Sequence, residues 1–117
     1  MIRLFKSFAY AFRGLGKIFR EEQNLQAHSL VAIMVIALGF IFKIQSWQWC
    51  AILICVALVI LMETANSAIE RLADALKPRI HESVMAAKDI MAAAVLIAAL
   101  LAVAVGLIIF IPYFALI

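Results

Sequence analysis

Three long uncharged runs divide the chain and limit its possible folds more than any other feature. Ile90 to Ile117 and Ile44 to Met62 contain no charged residue, and a shorter uncharged run covers Ser29 to Phe42. A helix needs about 20 apolar residues to cross a bilayer. The chain of 117 residues is also 68% hydrophobic and only 15% charged, which is too apolar for a soluble globule of this size. The sequence therefore predicts an all-α integral membrane protein with three transmembrane helices.

The N-terminal segment has a different pattern. Plotted at about 100° per residue, its apolar and basic residues fall on adjoining faces: Phe5, Phe8, Phe12, Leu15 and Phe19 on one, and Arg3, Lys6, Arg13, Lys17 and Arg20 on the other. We expect an amphipathic helix over residues 1–21 that lies in the membrane interface on anionic lipid. A soluble helix that packs on a partner protein is the alternative. Within the single domain 1–117, the transmembrane helices are predicted at about 27–46, 47–70 and 88–113.

Basic residues predict the orientation of the chain. Five of them precede the first span, and four lie between the second and third spans, at Arg71, Lys77, Arg79 and Lys88. The first loop contains only Lys43. The positive-inside rule then places the N-terminus in the cytoplasm and the C-terminus outside.

A small residue recurs at every fourth position of the last span, at Ala94, Ala98, Ala102 and Gly106. Such a ridge permits close helix packing, and packing within one subunit and between subunits are equally compatible with it.

The second span ends in the stretch LMETANSAIERLAD, which places polar side chains at membrane depth. Glu63, Asn66, Glu70 and Asp74 fall within a stripe less than a quarter turn wide on a helix. The stripe extends roughly 16 Å from the apolar run toward the cytoplasm. Since an ionisable residue at membrane depth is costly, the default interpretation is a functional site. A solvated helix end is the alternative, and it has most weight for Asp74.

Two further polar clusters are predicted at the same cytoplasmic level. They contain Glu22, Asn24 and His28 before the first span, and Lys88 and Asp89 before the last, after a loop with His81. Two carboxylates from different helices suit Mg²⁺, which takes oxygen ligands and bridges substrate phosphates. A nearby lysine suits the phosphates themselves, whereas a lone histidine is more often an interfacial anchor.

The motifs that are missing narrow the possible chemistry. The chain contains neither GxxxxGK[ST], GxGxxG nor HExxH, so a P-loop, a Rossmann turn and a zinc protease are not predicted. Three hypotheses remain: an interfacial enzyme that acts on lipid with a metal-bound phosphate donor, a small transporter that uses Glu63 as an ion or proton site, and a non-catalytic membrane subunit. A transporter typically binds its ion near the bilayer midplane, and carboxylates at the membrane boundary therefore favour the enzyme.

The stretch ETANSAIERLAD, followed after a short loop by AKDIMAAAVL, resembles the prokaryotic diacylglycerol kinase family of small three-span lipid kinases. YAFRGL and EEQNLQAH match the same family in order and spacing, so the similarity covers nearly the whole chain. The resemblance implies a homotrimer in the bacterial inner membrane, with active sites at subunit boundaries near the cytoplasmic surface. It also implies transfer of the γ-phosphoryl group from ATP to a lipid hydroxyl, with Mg²⁺ as cofactor and no nucleic acid as partner.

The same resemblance implies roles for individual residues. Glu63 matches the catalytic base, Asn66 a site-organising residue, and Glu22 with Glu70 the metal pair that carries Mg–ATP. The other matching positions are the nucleotide-binding Arg3, Tyr10, His81, Lys88 and Asp89, and the lipid-binding or site-organising Asn24, His28, Asp74 and Ala92. The motif E-x-N-x-x-x-H, with Trp49 and GLIIFIP, looks more like the undecaprenol kinase branch. Undecaprenol is therefore the favoured substrate, and diacylglycerol, giving phosphatidic acid, is the alternative.

Overall fold

The computed structural model describes residues 1–76 and 82–117 as four helices: α1 is Ile2–Glu21, α2 is Gln23–Phe42, α3 is Ser46–Ala75 and α4 is Glu82–Ala115. Helices α2, α3 and α4 are each long and apolar enough to cross a membrane, so the prediction of an all-α chain with three such helices is confirmed. His81 lies outside the described residues, as do Lys77 and Arg79.

The ends of the long helices differ from the predicted spans. Lys43 adopts the left-handed conformation, with φ 52° and ψ 55°, and this conformation ends a right-handed helix. For this reason α2 stops at Phe42, and the predicted span 27–46 runs past it. In contrast, α3 and α4 are longer than the predicted 47–70 and 88–113. Where the bilayer boundaries fall along these helices stays a prediction.

The turn between α2 and α3 is packed by an indole ring. A Cβ added to Gly39 would lie 2.7 Å from Cη2 and 2.9 Å from Cζ2 of Trp49. On a second side the ring centroids of Phe40 and Trp49 are 4.8 Å apart. Only a residue without a side chain therefore fits at position 39 with Trp49 in this place.

Aromatic and amide side chains join this turn to the C-terminal part of α4, and we call this region the aromatic end. The ring of Phe42 stacks on Tyr113 at 5.6 Å and packs near Phe110 at 6.3 Å between centroids. The Tyr113 hydroxyl donates to Oε1 of the buried Gln48 at 2.6 Å. The backbone N–H of Gln45 donates to the same oxygen at 2.9 Å, so the carbonyl of this buried amide has two donors.

Helices α2 and α4 both pack on α3, which contributes most of the buried side chains among the described residues. Ala98 of α4 is 4% exposed, so at this position the small-residue ridge packs within the chain. Large apolar side chains of α2 and α4 stay exposed, among them Ile33, Leu100 and Ile108. No residue of α1 is buried, and its place in the membrane interface stays a prediction, as does the homotrimer.

Candidate functional site

The polar stripe lies at the other end of the molecule, which we call the polar end. It comprises the beginning of α2, the C-terminal half of α3 and the beginning of α4. Glu63 is 4% and Asn66 9% exposed, whereas Glu70 is half-buried and Asp74 is exposed. The stripe therefore runs from the interior of the chain to its surface, in the order that the sequence spacing predicts.

Glu63 meets a histidine from the neighbouring helix. Its Oε2 lies 3.9 Å from Nε2 of His28, and the two side chains are 5% and 31% exposed. This distance is too long for a hydrogen bond but short enough for electrostatic contact. Helices α2 and α3 thus bring together two residues that the sequence places at one depth.

Asn66 is buried with only half of its amide bonded. Its Nδ2 donates to Oε1 of Glu70 at 3.3 Å, one turn further along the helix. Its Oδ1 is buried and has no hydrogen-bond partner among the described residues. A buried acceptor in this state is costly unless a bound group satisfies it, so Asn66 Oδ1 is a candidate ligand contact.

A polar network ties the joint between α1 and α2 to α3. Glu22 separates these two helices in an extended conformation, with φ −103° and ψ 111°. The Ser67 hydroxyl donates to Oε1 of Glu22 at 2.9 Å, and Nη2 of Arg71 donates to the same oxygen at 3.1 Å. Nη1 of Arg71 donates to Oε2 of Glu21 at 3.3 Å. One arginine thus bridges the last residue of α1 and the joint itself.

The network affects the charge state of Glu22. The hydroxyl of Ser67 and then the guanidinium of Arg71 hold the pKa of Glu22 below its usual value of 4.5, because both groups stabilise the carboxylate form. Sequence analysis missed Ser67 and Arg71 as site residues. They follow Glu63 at i+4 and i+8, so a search of the helix face for donors as well as acids would have found them.

Lys88 connects α4 to the stripe. Its Nζ lies 3.9 Å from Oδ1 of Asp74, and the two side chains are 29% and 60% exposed. The other candidates near the start of α4, Asp89 and Ala92, are exposed. Of these three residues, Lys88 is therefore the one with a described contact to the polar stripe.

Three other candidates stay apart from this cluster. Arg3 and Asn24 are exposed, and the Tyr10 ring, 64% exposed, packs under the guanidinium of Arg13 at 5.6 Å. In residues 1–76 and 82–117, no hydrogen bond or ion pair joins any of the three to the polar end. Their roles stay predictions.

An apolar cavity of about 500 Å³ lies among α2, α3 and α4. Each of these three helices contributes side chains to its lining. His28 lies at one end and Phe110 at the other, and the side chains between them include Val31, Val35, Val56, Val59 and Val103. Because His28 lines this cavity and also lies 3.9 Å from Glu63, one side chain connects the buried carboxylate to a space suited to hydrocarbon.

Comparison with known proteins identifies the family. Residues 9–110 match the family model of prokaryotic diacylglycerol kinase. The undecaprenol kinase of Bacillus subtilis (strain 168) is 36% identical over 94% of this chain and 89% of that protein. The diacylglycerol kinase of Escherichia coli (strain K12) is 29% identical over 86% of this chain and 83% of that protein. The chain belongs to the prokaryotic diacylglycerol kinase family.

Family membership decides between the hypotheses drawn from the sequence. The chain is a lipid kinase and a multi-pass membrane protein, with a nucleotide and a lipid as its classes of substrate. The transporter and the non-catalytic subunit are set aside, and the resemblance that the motifs indicated is confirmed.

Proposed function

We propose that this lipid kinase transfers the γ-phosphoryl group of ATP to the hydroxyl of a lipid alcohol at the cytoplasmic face of the bacterial inner membrane. The observation that carries the proposal is the buried Glu63 beside His28, a residue that lines the apolar cavity. A lipid chain that fills the cavity places its hydroxyl beside Glu63 and His28. Undecaprenol is favoured over diacylglycerol as the lipid substrate, because the cavity lining is almost entirely hydrocarbon.

Glu63 is the proposed general base. An alcohol is a poor nucleophile near pH 7, and a positioned carboxylate accelerates its reaction by accepting the proton as the oxygen attacks. A bond forms between the lipid oxygen and the γ-phosphorus, and the bond from that phosphorus to the β–γ bridging oxygen breaks. ADP leaves with the bridging oxygen, and the proton on Glu63 passes to water at the surface end of the stripe.

Glu22 and Glu70 are proposed to hold Mg²⁺, and the unpartnered Oδ1 of Asn66 fits as a further ligand. All three offer the hard oxygen donors that Mg²⁺ prefers. No group of three or more His, Cys, Asp or Glu side chains that could hold a metal forms in the described part of the chain. This donor set suits Mg²⁺, which usually takes one or two carboxylates and completes its shell with water and substrate phosphates. When bound, the ion neutralises charge on the transferred phosphoryl group.

The remaining candidates are proposed to surround the nucleotide and the lipid head. Lys88, held near the stripe by Asp74, offers a point charge to the phosphates. Further nucleotide contacts are assigned to Arg3, Tyr10, His81 and Asp89, and site-organising roles to Asn24, Asp74 and Ala92. The amphipathic α1 lies in the interface and covers the site.

The lining of the cavity supports undecaprenol. Beyond His28 its side chains are hydrocarbon apart from the thiol of Cys55. A polyprenol joins its hydroxyl directly to hydrocarbon, whereas diacylglycerol has two esters next to its hydroxyl, and buried esters without donors are unfavourable. The test is phosphate transfer from labelled ATP and Mg²⁺ by the purified protein in mixed micelles, with each lipid offered separately. Faster transfer to diacylglycerol would support the alternative substrate, and transfer to neither would contradict the proposal.

A homotrimer with a cytoplasmic N-terminus completes the proposal. Exposed apolar side chains on α2 and α4 are compatible with lipid and with neighbouring subunits. Reporter fusions at the C-terminus test the orientation, because a cytoplasmic C-terminus would contradict three spans that begin in the cytoplasm. Cross-linking in membranes followed by mass measurement tests the trimer, and a monomer or dimer would contradict it.

A further inference from the structure

Ser67 has the lowest exposure of the polar side chains described, at 1%, and its hydroxyl lies at the centre of the network around Glu22. A serine hydroxyl has one proton and two lone pairs. Here the oxygen faces Nε of Arg71 at 3.4 Å, and the proton is donated to Oε1 of Glu22 at 2.9 Å. The arginine thus helps to direct the hydroxyl proton toward the carboxylate.

Both donors bond the same oxygen of the Glu22 carboxylate. Ser67 and Arg71 both bond Oε1, and Oε2 is engaged by neither. The positive charge of Arg71 would repel a cation, but Glu21 shares that charge through Nη1 at 3.3 Å. The three side chains Glu21, Glu22 and Arg71 therefore sum to one negative charge, which still attracts a cation to Oε2.

From this geometry we infer that Ser67 is a positioning residue for the metal site: it holds Oε1 of Glu22 so that Oε2 is presented to the cation. The inference rests on the proposed role of Glu22 as a metal ligand. Glu22 is the joint between α1 and α2 and lies outside both helices, so its carboxylate has no helix of its own to orient it. A hydrogen bond from the rigid α3 supplies that orientation, as outer-shell partners of metal ligands do.

The test uses Ser67→Ala, which removes only the hydroxyl, and Ser67→Thr, which keeps it. Affinity for Mn²⁺, used in place of Mg²⁺, is measured from the free-ion EPR signal of the purified protein with a non-hydrolysable ATP analogue. We expect Ser67→Ala to bind Mn²⁺ about tenfold more weakly and Ser67→Thr to bind it as the wild type does. The KM for Mg–ATP should rise in Ser67→Ala by a similar factor, while kcat at saturating Mg–ATP stays near the wild-type value. Ser46→Ala, an exposed position at the far end of α3, is the matched control.

Glu22→Gln separates the inference from the proposed function. Weak Mn²⁺ binding in Glu22→Gln with wild-type binding in Ser67→Ala would overturn the role of Ser67 alone. Wild-type binding in both variants would overturn Glu22 as a ligand and the inference with it. If Ser67→Ala lowered both kcat and thermal stability but left the Mn²⁺ affinity unchanged, Ser67 would be merely structural.

Discussion

The two ends of α3 both bury polar side chains, but they differ in how many of their hydrogen bonds are made. At the aromatic end, Oε1 of Gln48 accepts from Tyr113 and from the backbone of Gln45. At the polar end, Oδ1 of Asn66 has no partner within residues 1–76 and 82–117, and Glu63 approaches His28 only to 3.9 Å. A satisfied network rigidifies a fold, whereas a partly satisfied one is costly without a ligand.

The difference supports the proposal that the polar end is the ligand-binding end. Both ends lie on one helix of the same apolar protein, so hydropathy alone does not separate them. The bonding state of the buried oxygen atoms does: Oε1 of Gln48 has two donors, whereas Oδ1 of Asn66 has none among the described residues. Changes at the polar end should therefore affect reaction and binding, and changes at the aromatic end should affect stability.

The largest effect is expected for Glu63→Gln. Glutamine keeps the shape but cannot take the proton of the lipid hydroxyl, so turnover should fall about 10²–10⁴-fold. Stability should not fall, because a buried neutral amide is less costly to desolvate than a carboxylate. The measurement is labelled phosphate transfer to lipid by both proteins, with thermal unfolding in detergent as the control for folding. Transfer at the wild-type rate by the variant would remove Glu63 as the base.

Next in size is the effect of Glu70→Gln, which removes one of the two proposed metal carboxylates. A direct ligand should matter at least as much as outer-shell partners, which change metal affinity about 10–100-fold. We expect a rise of that order in the Mg²⁺ concentration needed for half-maximal activity. Glu82→Gln, at the exposed start of α4, is the control with the same chemical change. If Glu70→Gln matched this control, the metal would have to lie elsewhere.

Gln48→Met tests the aromatic end. The change keeps the side-chain length but leaves the Tyr113 hydroxyl and the Gln45 N–H without their acceptor, which should cost about 1–3 kcal/mol of unfolding free energy. Tyr113→Phe removes one of these bonds and should cost about 1 kcal/mol. Thermal unfolding measures the loss of stability in each variant. Turnover per folded protein should stay at the wild-type value in both variants. A loss of turnover without a loss of stability would contradict the division between the two ends.

Gly39→Ala tests how closely the aromatic end is packed. The new methyl group would lie 2.7 Å from the Trp49 ring, and overpacking of this kind costs about 1–3 kcal/mol when the ring cannot move aside freely. Gly14→Ala is the matched control, because its Cβ would meet nothing within 4 Å. There the higher helix propensity of alanine should give no loss and up to about 1 kcal/mol of gain. Equal unfolding temperatures for the two variants would show that Trp49 yields easily.

The smallest effect is expected for the change in stability at acidic pH. Because the pKa of Glu22 in the folded protein lies below its usual 4.5, its contribution to stability is complete above that value and is lost as the pH falls through the lower folded value. The stability advantage of the wild type over Glu22→Gln should therefore shrink as the pH falls below 4.5. Gln48→Met removes no ionisable side chain, so its cost should stay constant over the same range of pH. A constant advantage for Glu22 would contradict the ionised network.

The helices and the polar stripe were predictable because each depends on local periodicity. Uncharged length predicts the spans, and the spacing of Glu63, Asn66 and Glu70 predicts one face of α3. In contrast, the left-handed Lys43 carries no glycine signal, so the end of α2 was placed too late. The bond from Tyr113 to Gln48 joins residues 65 positions apart, and no pattern in the sequence indicates such a pair.

Ser67 and Arg71 were missed for a different reason. Small hydroxyl and basic residues are common near the ends of transmembrane helices, so their residue types alone carry little information. Their importance arises from the approach of Glu22, 45 positions away from Ser67, across the joint between two helices. Such an approach depends on the packing of α2 on α3, which sequence periodicity does not specify.

The position of Phe110 has a consequence for how a lipid would arrive and leave. This ring lines the cavity and also packs near Phe42, so the cavity extends as far as the aromatic cluster. In the proposed function, a lipid alcohol would place its chain in this cavity and its neutral head at the depth of Glu63. After phosphorylation the head carries charge, which is unfavourable in an apolar slot and favourable in water. Phosphorylation would therefore make lipid exchange directional. Neutral lipid heads favour the apolar cavity, and charged lipid heads favour the aqueous surface.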